Sequence, residues 1–207
     1  MNDQRQEIDL GFTKEHLPES SHICLIYDNE AQRQKIVSEY LAAGLRQEEV
    51  VRYITDVTAP EQVCAWLLEL GVELPEGGPF SIFKAESFYC ANGRFEPQEL
   101  IAGMLPRYDQ YKKAGYRGVR SSGEMSWTLK GLPGSDRWLE YETLLNTVGG
   151  TFPHTGMCQY DARLFDGATL FKVLQIHPYM IAQGQIVRNP FYMRPEEFLK
   201  EFGASQP

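Results

Sequence analysis

The sequence predicts an α/β protein in which a mostly parallel sheet lies between two layers of helices. Short apolar runs, such as 22–27 and 50–55, are separated by longer segments in which apolar side chains recur at helical spacing. Strands that alternate with helices in this way form parallel sheets with right-handed crossovers. The chain has 207 residues and neither an internal repeat nor an interdomain linker, which fits one well-buried domain.

The first half of the chain contains three predicted strands. Residues 1–20 are polar and interrupted by Gly11 and Pro18, so we expect an N-terminal arm that is loosely held or forms a short helix. A single domain is expected to follow over residues 21–207. Strands are predicted at 22–27, 50–55 and 80–85. The helices between them are indicated by apolar stripes at Ile36, Val37, Tyr40, Leu41 and Leu45, and at Val63, Trp66, Leu67 and Leu70.

Local signals define the ends of these two helices. Asp28 or Asn29 can cap the start of the first helix. Thr58 and Glu61 have the spacing of a capping box, which predicts the start of the second helix. Gly71 is expected to end that second helix, because glycine readily adopts the left-handed conformation found after helix ends.

The second half begins with an aromatic segment, residues 86–93, that we expect to form a loop or a short hairpin. Pro97 begins a helix, and Pro106 within the same pattern kinks that helix or marks its true start. The remaining predicted elements are a strand at 118–122, a helix capped by Ser135 or Asp136 and ended by Gly149 and Gly150, a strand at 155–160, a helix at 168–176, edge strands at 179–188, a turn at 189–192 and a helix at 195–202.

Composition and charge exclude several classes of protein. The formal net charge of −8 argues against nonspecific nucleic-acid binding, which needs clustered Lys and Arg. No apolar stretch approaches the ~18 residues of a membrane span, and the polar start lacks the apolar core of a signal peptide. We therefore expect a cytoplasmic protein that contacts neither nucleic acid nor membrane. The cysteines form no CxxC pair, and we expect buried free thiols at Cys24, Cys64, Cys90 and Cys158.

The stretch from Gly118 to Trp127 is the first candidate site. It is typical of a middle strand that ends in a turn, with Arg120, Glu124 and Trp127 close together. In open α/β sheets, ligands bind at the carboxyl ends of the strands, so Glu124 is expected in or beside a pocket. Strand alternation places Arg120 and Glu124 on the same face of the sheet. The alternative for Glu124 is a structural ion pair or a cap for the following turn.

Two other strand ends contribute further candidates. Tyr27 ends the strand at 22–27, and Asp161 and Arg163 follow the strand at 155–160. Because the carboxyl ends of parallel strands meet at one edge of the sheet, these three side chains are expected to line the same pocket. The alternative for Asp161 is a cap on a helical turn. Phe88 and Tyr89 are expected to cover the opening.

The residues do not favour catalysis or a metal centre. There is no G-x-S-x-G elbow that would present a nucleophilic serine. His22, at a strand start, and His177, at a helix end, are expected to be structural. A metal or haem site would have to combine His22 with Cys24, Cys158 or Glu124. These residues lack the local spacing of structural zinc sites, so we expect no catalytic residue, no metal and no other cofactor.

Five short motifs follow one another along the chain. They are HICLIY at 22–27, GEMSW at 123–127, CQYD at 158–161, HP at 177–178 and NPFY at 189–192. Together they resemble the MEDS domain, the methanogen/methylotroph DcmR sensory domain, over roughly residues 20–192. The resemblance implies a fold related to the RecA/KaiC-type ATPase core and a role in sensing small organic molecules, including hydrocarbon derivatives. It also implies a signalling partner, because such domains occur alone or attached to DNA-binding regions or histidine kinases.

The phosphate-binding loop of that ATPase core is degenerate in this chain. A P-loop needs G-x-x-x-x-G-K-[ST] between a strand and its helix, where the glycines let backbone N–H groups reach the phosphates. The corresponding residues 27–35 contain no glycine, and Asp28 and Glu30 would repel phosphates at the helix start. We therefore expect no ATP hydrolysis.

Three functions remain open from the sequence. The leading hypothesis is a noncatalytic sensory domain that binds a small, partly apolar organic ligand and signals to a separate kinase or regulator. Its ligand-binding residues are expected to be Tyr27, Arg120, Glu124, Trp127, Asp161 and Arg163. The second hypothesis is a nucleotide-binding relative of the ATPases with an altered phosphate site, and the third is a protein-interaction module without an enclosed cavity. A homodimer is expected because closed twofold dimers are the commonest assemblies.

Overall fold

The computed structural model of the protein describes residues 5–148 and 153–204. Its strands are β1 (Glu7–Asp9), β2 (His16–Pro18), β3 (His22–Tyr27), β4 (Val50–Thr55), β5 (Phe80–Lys84), β6 (Val119–Glu124), β7 (His154–Asp161), β8 (Tyr179–Ala182) and β9 (Gln185–Arg188). Its α-helices are α1 (Glu30–Arg46), α2 (Pro60–Glu69), α3 (Ala85–Tyr89), α4 (Pro97–Ala102), α5 (Met104–Lys113), α6 (Trp138–Val148), α7 (Gly167–Ile176) and α8 (Pro195–Ala204). Two short 3₁₀ helices cover Met125–Lys130 and Ser135–Arg137.

Seven strands form one sheet in the order β5-β4-β6-β7-β3-β8-β9. All neighbouring strands in it are parallel except β8 and β9, which form an antiparallel hairpin at the edge. The predicted class, a mostly parallel sheet flanked by helices, is therefore confirmed. No helix in the described ranges is both long and apolar enough to cross a bilayer.

Alternation along the strands sends side chains into two separate cores. On one face, Leu25 and Tyr53 pack with α1, α2 and the β1–β2 hairpin. On the other face, Ile54 and Tyr160 pack with α3, α5, α6, α7 and α8. The sheet is thus the middle of three layers, and neighbouring residues of one strand belong to different environments.

Most helix ends follow the predicted signals. Asn29 caps α1, and its side chain accepts a hydrogen bond from the backbone N–H of Gln32. The predicted helix that begins at Pro97 is interrupted at Gly103, and Pro106 lies in the first turn of α5. Proline is tolerated there because the first N–H groups of a helix have no intrahelical acceptor, so Pro106 marks a helix start as expected. The predicted end at Gly149 and Gly150 lies outside the described residues.

Three local predictions are wrong. Residues 7–18 form the antiparallel β1–β2 hairpin instead of a loose arm or helix, and Leu10 beside it is fully buried. The split of the chain at residue 20 stays a prediction. Residues 85–89 form the one-turn helix α3. The capping box is not formed, because Ala59 is the residue before α2 and Thr58 instead accepts a hydrogen bond from a buried arginine, Arg33.

Gly44 allows α1 to approach the sheet closely. A Cβ atom at this position would lie 2.7 Å from Cδ and 3.0 Å from Cβ of Arg120 on β6. Arg120 is fully buried, and its guanidinium is held by Glu49 and by the carbonyl oxygen of Asp9. The arginine therefore cannot move aside easily, and a side chain at position 44 would push the helix away from the sheet.

We predict that Gly44→Ala destabilises the protein by about 1–3 kcal/mol, the usual cost of overpacking a filled core. Gly167→Ala is the matched control, because Gly167 is in a helix and a Cβ there meets no atom within 4 Å. That control should leave the free energy of unfolding unchanged or raise it slightly. Urea unfolding of both variants measures the difference, and equal stabilities would show that the approach of α1 to Arg120 is not tight.

Candidate functional site

A buried ion pair lies at the carboxyl end of β6. Nη1 of Arg33, on α1, donates to Oε1 of Glu124 at 3.1 Å, and both side chains are almost completely buried. The same Oε1 accepts a hydrogen bond from the hydroxyl of Tyr53 at 2.7 Å. Arg33 Nη1 also donates to the Gln159 side chain at 2.9 Å. The pair therefore joins α1 to three adjacent strands, β4, β6 and β7.

The second carboxylate oxygen of Glu124 holds the loop between β4 and α2. Oε2 accepts backbone N–H groups from Asp56 and Val57, both at 2.6 Å, and from Thr58 at 3.2 Å. Burial by itself would raise the pKa of Glu124, but these hydrogen bonds outweigh burial and lower its pKa from the ordinary 4.5. Glu124 is thus ionised and saturated with donors from the protein itself.

The loop between β3 and α1 has no room for a phosphate cradle of the P-loop kind. Only Asp28 and Asn29 separate the strand from the helix, and the Asn29 side chain occupies the capping position. Glu30 lies in the first turn of α1, beside Arg33, and pairs with it. The helix start therefore carries negative side chains where phosphates would need positive charge and free N–H groups.

Three other predicted site residues lie at the carboxyl ends of β3 and β7. Tyr27 and Asp161 are register partners, and the guanidinium of Arg33 lies 5.4 Å from the Tyr27 ring. Burial raises the pKa of Tyr27 to about 12. Asp161 accepts two hydrogen bonds from the guanidinium of Arg163, at 2.7 Å from Nε and 2.6 Å from Nη2, and one from the Arg163 backbone N–H at 2.9 Å, and these lower its pKa. The guanidinium of Arg163 faces solvent.

The other two predicted residues lie elsewhere. Arg120 shares a face with Glu124, but it is at the opposite end of β6 and pairs with Glu49 at 2.6 Å. Trp127 is fully buried and stacks on Tyr89, with ring centroids 4.5 Å apart. The structure thus groups Tyr27, Glu124, Asp161 and Arg163 at the carboxyl ends of the strands, and it places Arg120 and Trp127 in two different cores.

A cavity of about 60 Å³ lies on the other face of the sheet, beneath α3, α5 and α6. A single ordered water needs a cavity volume of only roughly 10–15 Å³. The cavity therefore has room for several waters or a small molecule. Small side chains on β6 and β7 create this space, namely Ser121, Gly123 and Gly156. Phe88 and Tyr89, expected to cover a pocket at the strand ends, line this cavity instead.

Polar groups are interspersed with the apolar walls of the cavity. The ring of His154 is hydrogen-bonded at both nitrogens, to the Tyr108 hydroxyl at 2.6 Å and to the Ser121 hydroxyl at 2.8 Å. Burial lowers the pKa of His154 to about 3, so this imidazole is neutral at pH 7. Arg52 and Arg107 also line the cavity, and burial together with the charge of Arg107 lowers the pKa of Arg52.

A buried cluster of four side chains lies in the wall of this cavity. His22 comes from the start of β3, Cys158 from β7, Glu142 from α6 and His177 from the end of α7. Oε2 of Glu142 is 3.4 Å from His22 Nε2 and 3.2 Å from His177 Nε2. His22 Nε2 is also 3.4 Å from Cys158 Sγ.

The charge state of the cluster follows from its burial and its contacts. Burial alone would raise the pKa of Glu142, but the contacts with His177 and His22 outweigh it and hold its pKa far below the ordinary value. Burial lowers the pKa of His177 to about 4 and raises that of the Cys158 thiol. The cluster thus brings a carboxylate, two imidazole rings and a thiol together.

The sequence did not predict that these four residues meet. A metal site that combines His22 and Cys158 with Glu124 is not formed, because Glu124 lies on the opposite face of the sheet. Strand alternation contained the signal, because His22 and Cys24 share a face, as do Cys158 and Tyr160. Glu142 was available as a polar residue within the apolar stripe of α6, between Leu139 and Leu145.

Known proteins resemble this chain over most of its length. The family model for MEDS, the MEthanogen/methylotroph, DcmR Sensory domain, matches residues 21–178. The transcriptional repressor DcmR of Methylorubrum extorquens is 29% identical over 161 residues, which are 75% of this chain and 57% of the repressor. The chain therefore spans little more than half the length of this curated relative.

Solved structures share the fold at low sequence identity. A KaiC-like protein of Pyrococcus horikoshii has a TM-score of 0.54 and 13% identity, with 85% of this chain and 79% of that one covered. The flagellar accessory protein FlaH of Methanocaldococcus jannaschii has a TM-score of 0.54 and 10% identity, with 87% and 83% covered. These likenesses confirm the predicted RecA/KaiC-like fold, and at such identities they show the fold alone.

We predict that Glu124→Gln lowers the free energy of unfolding by about 3–5 kcal/mol, because it removes the buried anion beside Arg33 and leaves Glu30, which is 54% exposed, as the partner carboxylate. The amide would also direct N–H groups towards backbone donors of the β4–α2 loop. Glu30→Gln is the matched control, since Glu30 pairs with the same arginine but is 54% exposed, and it should cost less than about 1 kcal/mol. Urea unfolding at neutral pH makes this comparison, and similar losses in both variants would refute the buried network.

The same pair predicts a pH dependence. The pKa of Glu124 is lower in the folded protein than its ordinary 4.5, so its contribution to stability is complete above that value. The contribution is lost as pH falls below 4.5 and through the folded-state pKa. The urea midpoint of Glu124→Gln should therefore fall less steeply with acid than that of the unmodified protein. Equal slopes would show that Glu124 does not titrate abnormally.

Proposed function

Because the chain belongs to the MEDS family, the methanogen/methylotroph DcmR sensory domains, we propose that it senses a small, partly apolar organic molecule that binds in the cavity beneath α3, α5 and α6. The sensory and regulatory role follows from the family and from the likeness to a transcriptional repressor. The single observation that supports the ligand site is the cavity itself, which lies between the sheet and three helices. Concave, mainly apolar sites with a few polar groups are the usual sites for small ligands.

The cavity suits a small organic molecule better than the strand ends do. Ile54, Phe88 and Met104 supply apolar contact surface. Arg52 and Arg107 supply polar groups in the wall. At the strand ends, by contrast, Glu124 and Arg33 already use their hydrogen-bonding capacity on each other and on neighbouring protein groups. A ligand there would have to compete with those bonds, whereas a ligand in the cavity fills space.

The proposed signal is a change in the packing of α3, α5 and α6, the helices that cover the cavity. A ligand shifts a conformational equilibrium only if it binds one state better than the other. Molecules that fill the cavity favour the arrangement in which α3, α5 and α6 enclose it. Neither the mechanism nor its outcome requires catalysis, and the domain would pass the change to a separate regulator or kinase. The cytoplasmic location and the homodimer expected from the sequence remain predictions.

Gly156→Ala should weaken ligand binding about tenfold while leaving the fold intact. A Cβ at position 156 would lie 3.4 Å from Ser121 Oγ and 3.8 Å from His22 Cδ2, which is ordinary contact, so the protein tolerates the added methyl group. Overpacking a filled cavity costs about 1–3 kcal/mol, and each 1.4 kcal/mol is tenfold in affinity. The ligand class is first identified by native mass spectrometry and by a thermal-shift screen of short alcohols, aldehydes, carboxylic acids and alkyl halides. The affinity of both proteins for a member of that class is then compared.

Arg163→Ala is the matched control at the strand ends. It removes an exposed side chain that the sequence placed among the ligand-binding residues, and we expect no effect on affinity. Loss of binding in Arg163→Ala but not in Gly156→Ala would contradict the cavity site and restore the strand-end site. A shift with ATP and magnesium, but with none of the organic compounds, would instead favour a nucleotide-binding relative of the ATPases. No shift with any compound would favour a protein-interaction module.

A further inference from the structure

We propose that His22, Glu142, Cys158 and His177 bind one divalent transition-metal ion of the zinc class. Their ligand atoms, two imidazole nitrogens, a carboxylate oxygen and a thiol sulfur, all lie within 4.8 Å of one another. All four residues are buried, and they come from four separate elements, β3, α6, β7 and the end of α7. The fold therefore brings four potential ligands to one point without any local sequence motif.

The spacing of these atoms fits a tetrahedral ion. With one sulfur ligand, bonds of about 2.0 Å to nitrogen or oxygen and about 2.3 Å to sulfur separate neighbouring ligand atoms by roughly 3.3–3.5 Å in a tetrahedron. The observed separations are 3.2 Å from His177 Nε2 to Glu142 Oε2, 3.4 Å from His22 Nε2 to Glu142 Oε2 and 3.4 Å from His22 Nε2 to Cys158 Sγ. Little movement of the side chains is needed to surround an ion.

His177 presents one ring nitrogen to the cluster. Its Nδ1 lies 2.8 Å from the carbonyl oxygen of Val173, which can only accept, so Nδ1 carries a proton. Its Nε2 faces Glu142 Oε2 at 3.2 Å and has no hydrogen-bond partner of acceptable geometry among the described residues. A cation bound between this nitrogen and the carboxylate oxygen would contact both atoms.

Other buried atoms of the cluster also lack hydrogen-bond partners. Glu142 Oε1 and His22 Nδ1 have none in the part of the chain that the structure describes. Buried polar atoms without partners are uncommon and call for an unseen ion or water. Glu142 Oε1 is the second oxygen of the ligating carboxylate and is available to an ion bound by Oε2.

The charges of the proposed site balance. A divalent ion with one carboxylate and one thiolate has no net charge, which removes the main cost of burying charges. Binding requires Cys158 to lose its thiol proton, which passes to solvent as the sulfur–metal bond forms. Imidazole and thiolate donors favour zinc-class ions over Mg²⁺ and Ca²⁺, which prefer oxygen ligands. The Val173 carbonyl orients His177, and the Tyr160 hydroxyl donates to Glu142 Oε2 at 3.2 Å, as outer partners of metal ligands do.

The proposed ion would lie in the wall of the cavity. His22, Glu142 and Cys158 line the cavity, whereas His177 lies behind them, completely buried. The test of metal binding measures the bound metal ion itself. Its outcome therefore does not depend on whether the proposed sensory ligand binds. The competing explanation is a metal-free network in which a protonated His177 pairs with Glu142, and the two explanations differ in whether the protein holds a metal ion.

The test uses the full chain, first freed of metal by chelation and then titrated with Co²⁺. We expect one equivalent to bind, with the visible bands of tetrahedral Co²⁺ and a near-ultraviolet band from thiolate coordination. Zn²⁺ should displace it. Cys158→Ser should abolish the near-ultraviolet band and weaken Zn²⁺ binding by more than the 10–100-fold typical of losing an outer partner. Cys24→Ser is the matched control, because Cys24 is also a buried cysteine and is the register partner of Cys158 on the adjacent strand. This variant should change neither the near-ultraviolet band nor the affinity for Zn²⁺.

Two results would overturn the proposal. One is a folded, unmodified protein that binds no Co²⁺ or Zn²⁺ at micromolar concentrations, as judged by the metal content after gel filtration. The other is equal loss of the thiolate band in Cys24→Ser and Cys158→Ser. If Cys158→Ser does not fold, X-ray absorption on the zinc-loaded unmodified protein decides the question, since one sulfur at about 2.3 Å with nitrogen and oxygen at about 2.0 Å is expected. A shell of nitrogen and oxygen alone would refute the assigned ligands.

Discussion

The buried pair of Arg33 and Glu124 is the interaction on which the architecture of one sheet face depends. Removing two charges from water is costly, and the cost is recovered only when their remaining donors and acceptors are satisfied. Here that requirement recruits Tyr53 and Gln159 as well as the backbone N–H groups of the β4–α2 loop. One carboxylate thus determines the position of a helix, three strands and a loop.

This arrangement gives the two faces of the sheet different structures. Ligand sites in open α/β sheets lie at the carboxyl ends of the strands, whereas here protein groups fill these ends and hydrogen-bond to one another. The opposite face has the reverse character, because Ser121, Gly123 and Gly156 leave space beneath the helices. Alternation along β6 and β7 therefore produces a rigid polar network on one side and a cavity on the other from the same strands.

The fold could be predicted from the sequence because its signals are local, whereas the sites depend on distant residues. Apolar runs such as 22–27 and 50–55 indicate strands by themselves. Arg33, in contrast, has the appearance of a solvated helix residue, and its burial depends on partners 91 and 126 residues away. The cluster around Glu142 depends in the same way on the docking of α6 and α7. The β1–β2 hairpin escaped detection because each strand has three residues and one buried apolar side chain.

The hairpin also bears on how much of the chain forms the folding unit. The family match begins at residue 21, yet Asp9 provides the carbonyl oxygen that holds the guanidinium of Arg120 at 2.7 Å. Ile8, Leu10 and Leu17 cover the apolar surface of α1. A fragment trimmed to the family boundaries would remove one hydrogen-bond acceptor of the buried Arg120 guanidinium and expose apolar surface of α1 to solvent. Transfer of this domain to another protein therefore requires the residues that precede the match as part of the transferred unit.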